Sequence, residues 1–198
     1  PQVKTLKAAV VDRREAMQLL MGYNSFNGYV WNKLFDLQLI RENDIRFHAD
    51  YPACEDTMFV GSYLYHCSRV CVTEECLYCY RQVSGGANRG RYSGRKAYDP
   101  KWMSVFEMTE YMADLYKDDA VTAACRLHEV REAGIVLRSM EAAGYHGADH
   151  ARLKDILRRG AGLFFRDENS GRSQKLSVLL SCISPKLELA VWKLRNRK

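Results

Sequence analysis

The chain has 198 residues, of which 47% are hydrophobic and 27% charged, and its formal net charge is +6 at pH 7. This composition excludes a globally disordered chain and fits one domain, or a small α/β unit with a helical appendage, which we favour. The moderate positive charge suits an anionic ligand or an anionic membrane surface, but also an ordinary dispersed protein.

The cysteines and the amino terminus indicate the compartment. Seven cysteines, an odd number, are scattered through segments with core-like composition, which is typical of free thiols in a reducing compartment. The amino terminus has no signal-peptide hydrophobic run, and no stretch of about 18 apolar residues occurs. We therefore expect a cytoplasmic protein, and the absence of an initiating Met indicates an excised fragment.

The first predicted helix begins after Asp12. Glu15 lies three residues further on, a spacing typical of a capping box, in which each side chain accepts from a backbone donor of the other. Ala16, Leu19 and Leu20 give this helix one apolar face. The glycines and asparagines of residues 22–28 predict the loop that ends it.

The next segments alternate between short helices and extended pieces. Apolar and β-branched runs predict helices over 34–40 and 55–67, an extended piece over 45–47, and strands over 70–72 and 76–81. The inward side of the second helix is expected to consist of Phe59, Val60, Tyr63, Leu64 and Cys67. Residues 1–83 should thus combine helices with a small mixed sheet.

The composition changes abruptly after residue 83. Glycines and serines are interleaved with arginines, so we predict a mobile loop or linker over 84–99. Pro100 is expected to begin a helix, and apolar periodicity predicts further helices over 119–143 and 149–165, with a fresh one at Pro185. Residues 100–198 should form a helical bundle, which makes the expected fold class α+β and predominantly helical.

An acidic pair, Glu55-Asp56, begins the helix predicted over 55–67. The positive end of a helix favours an ionised carboxylate, and partial burial can tune that carboxylate to take a proton from a hydroxyl. The pair is therefore a candidate general base. A plain helix-capping role is the alternative.

A second motif is Trp31-Asn32-Lys33. An indole and an ammonium two residues apart could serve as a sugar platform and an anion clamp. The alternative is a core tryptophan beside a solvated lysine.

These motifs occur within a longer resemblance. Residues 28–82 resemble the second half of the catalytic domain of family 2 glycosyltransferases, the inverting, A-type nucleotide-sugar enzymes that build bacterial surface polysaccharides. The matching landmarks, in family order, are Gly28-Tyr-Val-Trp31-Asn-Lys33-Leu-Phe35, Leu39-Ile40-Arg-Glu-Asn43-Asp-Ile45-Arg-Phe47, Glu55-Asp56-Thr-Met-Phe59 and Glu75-Cys-Leu77-Tyr78-Cys-Tyr80-Arg81-Gln82.

The resemblance implies a role for each matched residue. Asp56 aligns with the base that deprotonates the acceptor hydroxyl, and Glu55 is the second choice. Arg81 and Gln82 follow the last strand, where a guanidinium could hold the departing diphosphate. With Trp31, Asn32 and Lys33 they form the implied substrate-binding set: Trp31, Asn32, Lys33, Arg81, Gln82. The family continues with a Gly-Ser element, whereas this chain continues with the loop 84–99, so no closing role is assigned to Ser84.

The chain lacks the donor-binding signals of that family. It has no Asp-x-Asp element, no glycine-rich phosphate loop and no leading series of strands. The resemblance then implies the acceptor half of a catalytic domain plus a helical extension, inactive alone. The complete enzyme would add a nucleotide-sugar donor, a glycan or lipid-linked acceptor and a divalent metal, Mg or Mn; no cofactor is expected on this part.

No metal site is predicted from the cysteines and histidines. Cys76 and Cys79, with Cys71, Cys67 and His66 upstream, invite a zinc interpretation, but residues three apart on a strand face opposite ways and no second Cys-x-x-Cys exists. Four other histidines receive no chemical role: His48, His128, His146 and His150.

Two other function classes compete with the transferase. Nucleic-acid binding would need basic and aromatic groups on one face, but the twelve tyrosines are dispersed and acidic residues are nearly as numerous as basic ones, so no nucleic-acid partner is expected.

Residues 176–194 are apolar on one side and basic on the other, which is typical of a helix at a membrane surface or a protein interface. Peripheral contact with the inner face of the membrane is compatible with the transferase. The alternative is that this stripe packs on the preceding helices.

Overall fold

A computed structural model describes residues 8–22, 26–75, 77–79, 81 and 98–196. Over these residues the chain is predominantly helical with one two-stranded antiparallel sheet, which confirms the predicted α+β class. The elements are β1 (Ala9–Val11), α1 (Arg13–Met21), α2 (Leu37–Glu42), α3 (Glu55–His66), β2 (Val70–Val72), a 3-10 helix (Pro100–Met103), α4 (Ser104–Tyr116), α5 (Asp119–Ala143), α6 (Ala148–Arg166), α7 (Arg172–Ile183) and α8 (Pro185–Arg195).

The sheet corrects the predicted strand over 76–81. Strand β2 pairs with β1, so that Ala9 lies opposite Val72 and Val11 opposite Val70. Residues 77–79 and 81 form no strand, and residues 76 and 80 lie outside the described part of the chain. Leu77 is 79% exposed. The backbone N–H and C=O groups of a strand need a neighbouring strand as hydrogen-bonding partner. In this sheet the partner of β2 is β1, a strand of three residues.

Helix α1 confirms the predicted capping box. The backbone N–H of Glu15 donates to Asp12 Oδ1 (2.8 Å), and the backbone N–H of Asp12 donates to Glu15 Oε2 (3.4 Å). Ala16 and Leu20 are buried on the predicted apolar face, whereas Leu19 is half-buried. The local signals in the sequence therefore place this helix correctly.

Helix α2 begins later than predicted, and the extended piece over 45–47 is not a strand. Asp36 caps α2 by accepting from the backbone N–H of Gln38 (2.8 Å), which leaves Leu34 outside the helix and fully exposed. Ile45 is buried, and Phe47 stacks on Phe59 with ring centroids 4.4 Å apart. This segment is held by side-chain packing and not by a strand ladder.

The chain divides into two compact units. The first consists of Pro1–Arg81 and Met103–Arg126, and the second of Gln82–Trp102 and Leu127–Lys198. Helix α5 thus begins in the first unit and ends in the second. Most of the loop predicted over 84–99 lies outside the described residues, so that loop stays a prediction.

The core of the first unit is rich in methionine. Helix α3 packs against α1 and α4, and the fully buried side chains there include Met17, Met58 and Met112. Gly61 allows the close approach of α4, because a Cβ at this position would lie 2.7 Å from Met112 Sδ. The hydroxyl of Tyr116 donates to the carbonyl of Gly61 (2.9 Å), which ties the end of α4 to the middle of α3.

A smaller aromatic cluster attaches residues 30–47 to α3. Phe35 meets Phe59 and Tyr63 edge to face, with ring centroids 5.4 and 4.9 Å apart. The backbone N–H of Asp36 donates to the Tyr63 hydroxyl (2.8 Å). Edge-to-face pairs of this kind stabilise by about 0.5–1.5 kcal/mol each beyond their buried area. The segment that includes Trp31 and Lys33 is thereby held beside α3.

The core of the second unit is formed by α6, α7 and the second half of α5. Leu153, Leu157 and Phe164 of α6 are fully buried. A Cβ on Gly160 would collide with Val130, so glycine lets α6 approach α5 closely. The helix predicted over 149–165 therefore forms, one residue longer at each end.

A buried ion pair joins α5 to α8 in the second unit. Arg138 Nη1 donates to Glu188 Oε1 (2.9 Å), and both side chains are less than a tenth exposed. Ser177 also donates to the same carboxylate oxygen (2.6 Å). Pro185 begins α8 as predicted, and Ser184 caps it by accepting from the backbone N–H of Leu187.

The apolar stripe predicted over 176–194 is largely exposed. Helices α7 and α8 instead bury Val178, Ser181, Glu188 and Leu189. The exposed apolar residues on the two helices are Leu176, Leu179, Ile183, Leu187 and Leu194. The alternative that this stripe packs on the preceding helices therefore fails for these five residues, whereas Leu180 and Val191 are half-buried. Among the described helices, none combines the length and the apolar composition needed to cross a membrane.

Candidate functional site

Asp56 lies in the first turn of α3 and is half-buried, while Glu55 is exposed. Cys54, the residue that precedes the helix, provides no side-chain cap. The side chain of Asp56 forms no hydrogen bond or ion pair within the described part of the chain, so it does not act as a helix cap either. A carboxylate at the positive end of a helix is thus left available to an external donor.

The loop before Trp31 packs directly on this helix end. A Cβ on Gly28 would collide with the hydroxyl of Thr57 and would lie 2.9 Å from the Thr57 Cα. The preceding Asn27 adopts a positive φ of 54°. Only glycine fits at position 28 without moving the loop, and this contact brings the Trp-Asn-Lys motif to the same end of α3 as Asp56.

The Lys33 ammonium closes this loop from inside. It donates to the carbonyls of Asn27 (2.6 Å), Tyr29 (2.7 Å) and Phe26 (3.2 Å) and to Asn32 Oδ1 (2.9 Å). Asn32 in turn donates from Nδ2 to the Phe26 carbonyl (3.1 Å). Since an ammonium has three protons, this set occupies its donors. Lys33 therefore has a loop-closing role that the sequence did not indicate.

The charge of Lys33 is sensitive to Asp56. Burial lowers the pKa of Lys33 to about 8, and the negative charge of Asp56 opposes that change. The structure thus brings two of the predicted site residues within electrostatic range of each other.

Trp31 is part of an aromatic array, which we define as Tyr29, Trp31 and Tyr78. The indole stacks on Tyr29 with ring centroids 5.1 Å apart and an interplanar angle of 17°, and it contacts the Tyr78 ring in a tilted arrangement at 4.7 Å and 30°. Tyr29 and Tyr78 are 41% and 54% exposed. Aromatic rings with an apolar face and a polar edge suit ligands that, like sugars, have both characters.

The described part of the chain shows no contact between Asp56 and the remaining predicted binding residues. Arg81 is exposed and forms no hydrogen bond or ion pair with another described residue, and Gln82 lies outside the described part of the chain. Cys71 and Cys79 are exposed, and no described residue completes a metal-binding group with them. Cys76 cannot be placed, because it too lies outside the described residues.

A cleft of about 480 Å³ lies at the other end of α3. Its lining includes Cys67, Tyr116 and Arg14, and Arg14 is paired with Asp118 (2.7 Å). Asp56 and Cys67 are separated by about 16 Å along the axis of an α-helix. Asp56 therefore does not line this cleft, and the aromatic array and the cleft are separate features of the first unit.

The second unit contains a group of metal-type ligands that sequence reasoning missed. The ligand atoms of Glu141, His146 and His150 all lie within 4.8 Å of one another. His150 Nε2 is 2.8 Å, and His146 Nδ1 3.9 Å, from Glu141 Oε1. The sequence did contain one signal for this proximity. Gly144 marks the end of a helix between Glu141 and the two histidines.

Comparisons of the chain with protein-family models, with curated proteins and with solved structures find no match.

Proposed function

We propose that the first unit binds a sugar acceptor and supplies the general base of an inverting glycosyl transfer. The observation that supports this most directly is the half-buried Asp56 carboxylate. Within the described residues it has no capping partner and forms no ion pair with a Lys or Arg side chain. The adjacent aromatic array provides the sugar-binding surface. This proposal agrees with what the resemblance to family 2 glycosyltransferases implies.

The proposed reaction is a single displacement. The acceptor oxygen forms a bond to the anomeric carbon of the donor while the bond from that carbon to the diphosphate breaks, and Asp56 takes the acceptor proton. Glu55, which is exposed, is the second choice for this role. A divalent metal, Mg or Mn, would be held by the nucleotide-binding half and would stabilise the charge of the leaving nucleoside diphosphate. Arg81 is the candidate cation on this chain.

The proposal gives Lys33 a positioning role. Its hydrogen bonds to the loop carbonyls hold the segment that contains Tyr29 and Trp31. These hydrogen bonds therefore fix the position of the aromatic array relative to α3. Transfer also requires a nucleotide-binding half, because the chain has no Asp-x-Asp or phosphate loop. We propose that this half, with its nucleotide-sugar donor, is supplied outside the present sequence.

The test separates acceptor binding from base catalysis. In a glycan-binding assay Trp31→Ala should weaken binding at least about tenfold, because burying an aromatic side chain is worth on the order of 1.5–3 kcal/mol. Tyr111→Ala removes an exposed aromatic outside the array and should change nothing. Asp56→Asn should retain glycan binding and, assayed together with the nucleotide-binding half, lower transfer by about 10²- to 10⁴-fold. Retained transfer, or binding indifferent to Trp31, contradicts the proposal.

A second candidate function rests on the exposed apolar residues of α7 and α8. These residues lie on helices that also expose Lys186, Lys193 and Arg195. Apolar and basic groups on one pair of helices favour binding to an anionic membrane surface.

Vesicle binding tests this candidate. Ile183→Asp should reduce binding of the chain to vesicles that contain anionic lipid, because it places a charge among the apolar residues that would enter the interface. Leu34→Asp, at a fully exposed leucine of the first unit, is the matched control and should bind as the parent chain does. Equal binding of both variants and the parent would rule out this surface.

A further inference from the structure

We propose that Glu141, His146 and His150 bind a divalent transition-metal ion, with Zn²⁺ as the ion of first choice. This inference goes beyond the proposed transferase and concerns the second unit alone. The three residues offer two imidazole nitrogens and one carboxylate oxygen within 4.8 Å of one another. Ligands at tetrahedral zinc lie about 3.3 Å apart, given bonds of about 2.0–2.1 Å, so small side-chain rotations suffice to close the site.

The donor set selects the class of metal. Imidazole suits zinc and its neighbours in the first transition row, whereas magnesium and calcium prefer oxygen ligands throughout. Three protein ligands leave one position of a tetrahedral ion to water or a bound ligand. The His146 side chain is 50% exposed, so the site has access to solvent on that side.

The Glu141 carboxylate gives an independent reason for a bound cation. Its side chain is only 4% exposed, although burying an ionised carboxylate is costly unless another charge compensates it. Within the described residues its close polar neighbours are the imidazoles of His146 and His150, and no Lys or Arg pairs with it. A divalent cation between the three side chains would compensate the buried charge directly.

The backbone holds the ligands near one another before any metal binds. Helix α5 ends with Gly144 at a φ of +67°, the backbone N–H of Gly144 donates to the Glu141 carbonyl (3.2 Å), and that of Tyr145 to the Met140 carbonyl (2.9 Å). This paired closure is a Schellman motif, which reverses the chain direction at the helix end. As a result His146 returns toward Glu141.

The connection into α6 is also tightly packed. The Tyr145 ring packs so closely over Gly147 that a Cβ at this position would require the ring to move. Tyr145 packs on Tyr98 with ring centroids 4.7 Å apart, and the Tyr98 hydroxyl donates to Asp149 Oδ2 (3.0 Å). These contacts fix the turn on both sides of His146 and the first turn of α6, where His150 lies.

A hydrogen-bonded helix junction without metal is the competing explanation. In that case the contact between Glu141 and His150 would stabilise the α5–α6 turn, and His146 would be dispensable. The two explanations differ for His146→Ala, which keeps the contact between Glu141 and His150 but removes a metal ligand. Because His146 is half-exposed, the variant should fold.

The experiment measures Zn²⁺ binding to the full chain by calorimetry, followed by Co²⁺ absorption. We expect one Zn²⁺ per chain, and both His146→Ala and His150→Ala should weaken binding by at least about tenfold, the loss seen when even an outer-shell partner is removed. His66→Ala, at an exposed histidine of the first unit, should not change it. Mg²⁺ should not compete.

Metal binding by cysteine thiols must be distinguished from binding at this site, because Cys71 and Cys79 are exposed. Co²⁺ bound by nitrogen and oxygen lacks the intense sulfur-to-metal absorption of thiolate sites, so the expected Co²⁺ spectrum has no such band. The proposal fails if Zn²⁺ does not bind at one equivalent, if His146→Ala and His150→Ala bind as the parent chain does, or if the sulfur band dominates and persists in both variants.

Discussion

The Lys33 ammonium shows how one side chain can combine a structural and an electrostatic role. It closes the loop that precedes Trp31 through three carbonyls and, at the same time, senses the charge of Asp56. Burial disfavours the charged amine, whereas the neighbouring carboxylate favours it. The pKa of Lys33 therefore depends on the presence of the Asp56 carboxylate.

We predict that Asp56→Asn lowers the pKa of Lys33 below its value of about 8, because the charge that opposes the burial effect is lost. Nuclear magnetic resonance titration of the Lys33 side chain measures this. Glu55→Gln changes the adjacent carboxylate, which does not contribute to the Lys33 pKa, and should leave it unaltered. An unchanged Lys33 pKa in Asp56→Asn would show that the two groups do not interact.

The same pKa fixes the sign of a stability change with pH. The folded pKa of Lys33 is about 8, below the ordinary 10.5 of the unfolded chain, so the unfolded state binds more protons between these values. Lys33 should therefore make unfolding less favourable as the pH rises through this window. Only this contribution should be lost in Lys33→Met, because cysteines and tyrosines with pKa values raised by burial titrate in the same range. The free energy of unfolding should therefore rise less, or fall more, across the window in Lys33→Met than in the parent chain, as measured by urea denaturation on either side of the window.

Some roles and contacts of single residues could be predicted from the sequence, and others could not. The position of Asp56 in the first turn of a helix follows from a local pattern, whereas its role as candidate base is what the resemblance implies. The closure of the loop by Lys33 depends on carbonyl directions that only the folded loop defines. Likewise Glu141 and His146 meet because the Schellman turn reverses the chain between them, so their proximity is not a matter of helical spacing.

Among the elements, those defined by local signals were predicted best. The capping box of α1 and the Pro185 start of α8 were placed correctly from sequence, and α5 matches its predicted bounds of 119–143. The strand over 76–81 was wrong because a strand depends on a distant partner. The stripe over 176–194 has the right helical period, but the side of the helix that is buried depends on neighbours that periodicity does not reveal.

The approach of α6 to α5 gives a prediction at this scale. Gly160→Ala should lower the free energy of unfolding by about 1–3 kcal/mol, because the added methyl collides with Val130 and the helices must separate. Gly162→Ala, in the same helix with open space around the position, should raise it by up to about 1 kcal/mol through helix propensity. Urea denaturation distinguishes the two. A gain in stability for both variants would show that the helices do not pack closely at Gly160.

At the scale of the whole molecule, the predicted fold class was correct, while the A-type transferase domain remains a proposal. The charge of +6 is compatible with a diphosphate, an anionic lipid or neither, so composition alone does not choose a function. The two proposed activities use different parts of the chain, since the aromatic array belongs to the first unit and the Glu-His-His group to the second. They can therefore be tested separately.

The first unit is assembled from two stretches of chain that are not continuous, and this affects how it can form during synthesis. Residues up to Arg81 leave the ribosome first, but the helix that packs on Gly61, α4, belongs to Met103–Arg126. Translation of the 35 residues from Gln82 to Tyr116, the end of α4, takes about 2–7 seconds at about 5–20 residues per second. Through that interval the nascent chain exposes the apolar face of α3 that α4 later covers, which makes it prone to aggregation until α4 is synthesised.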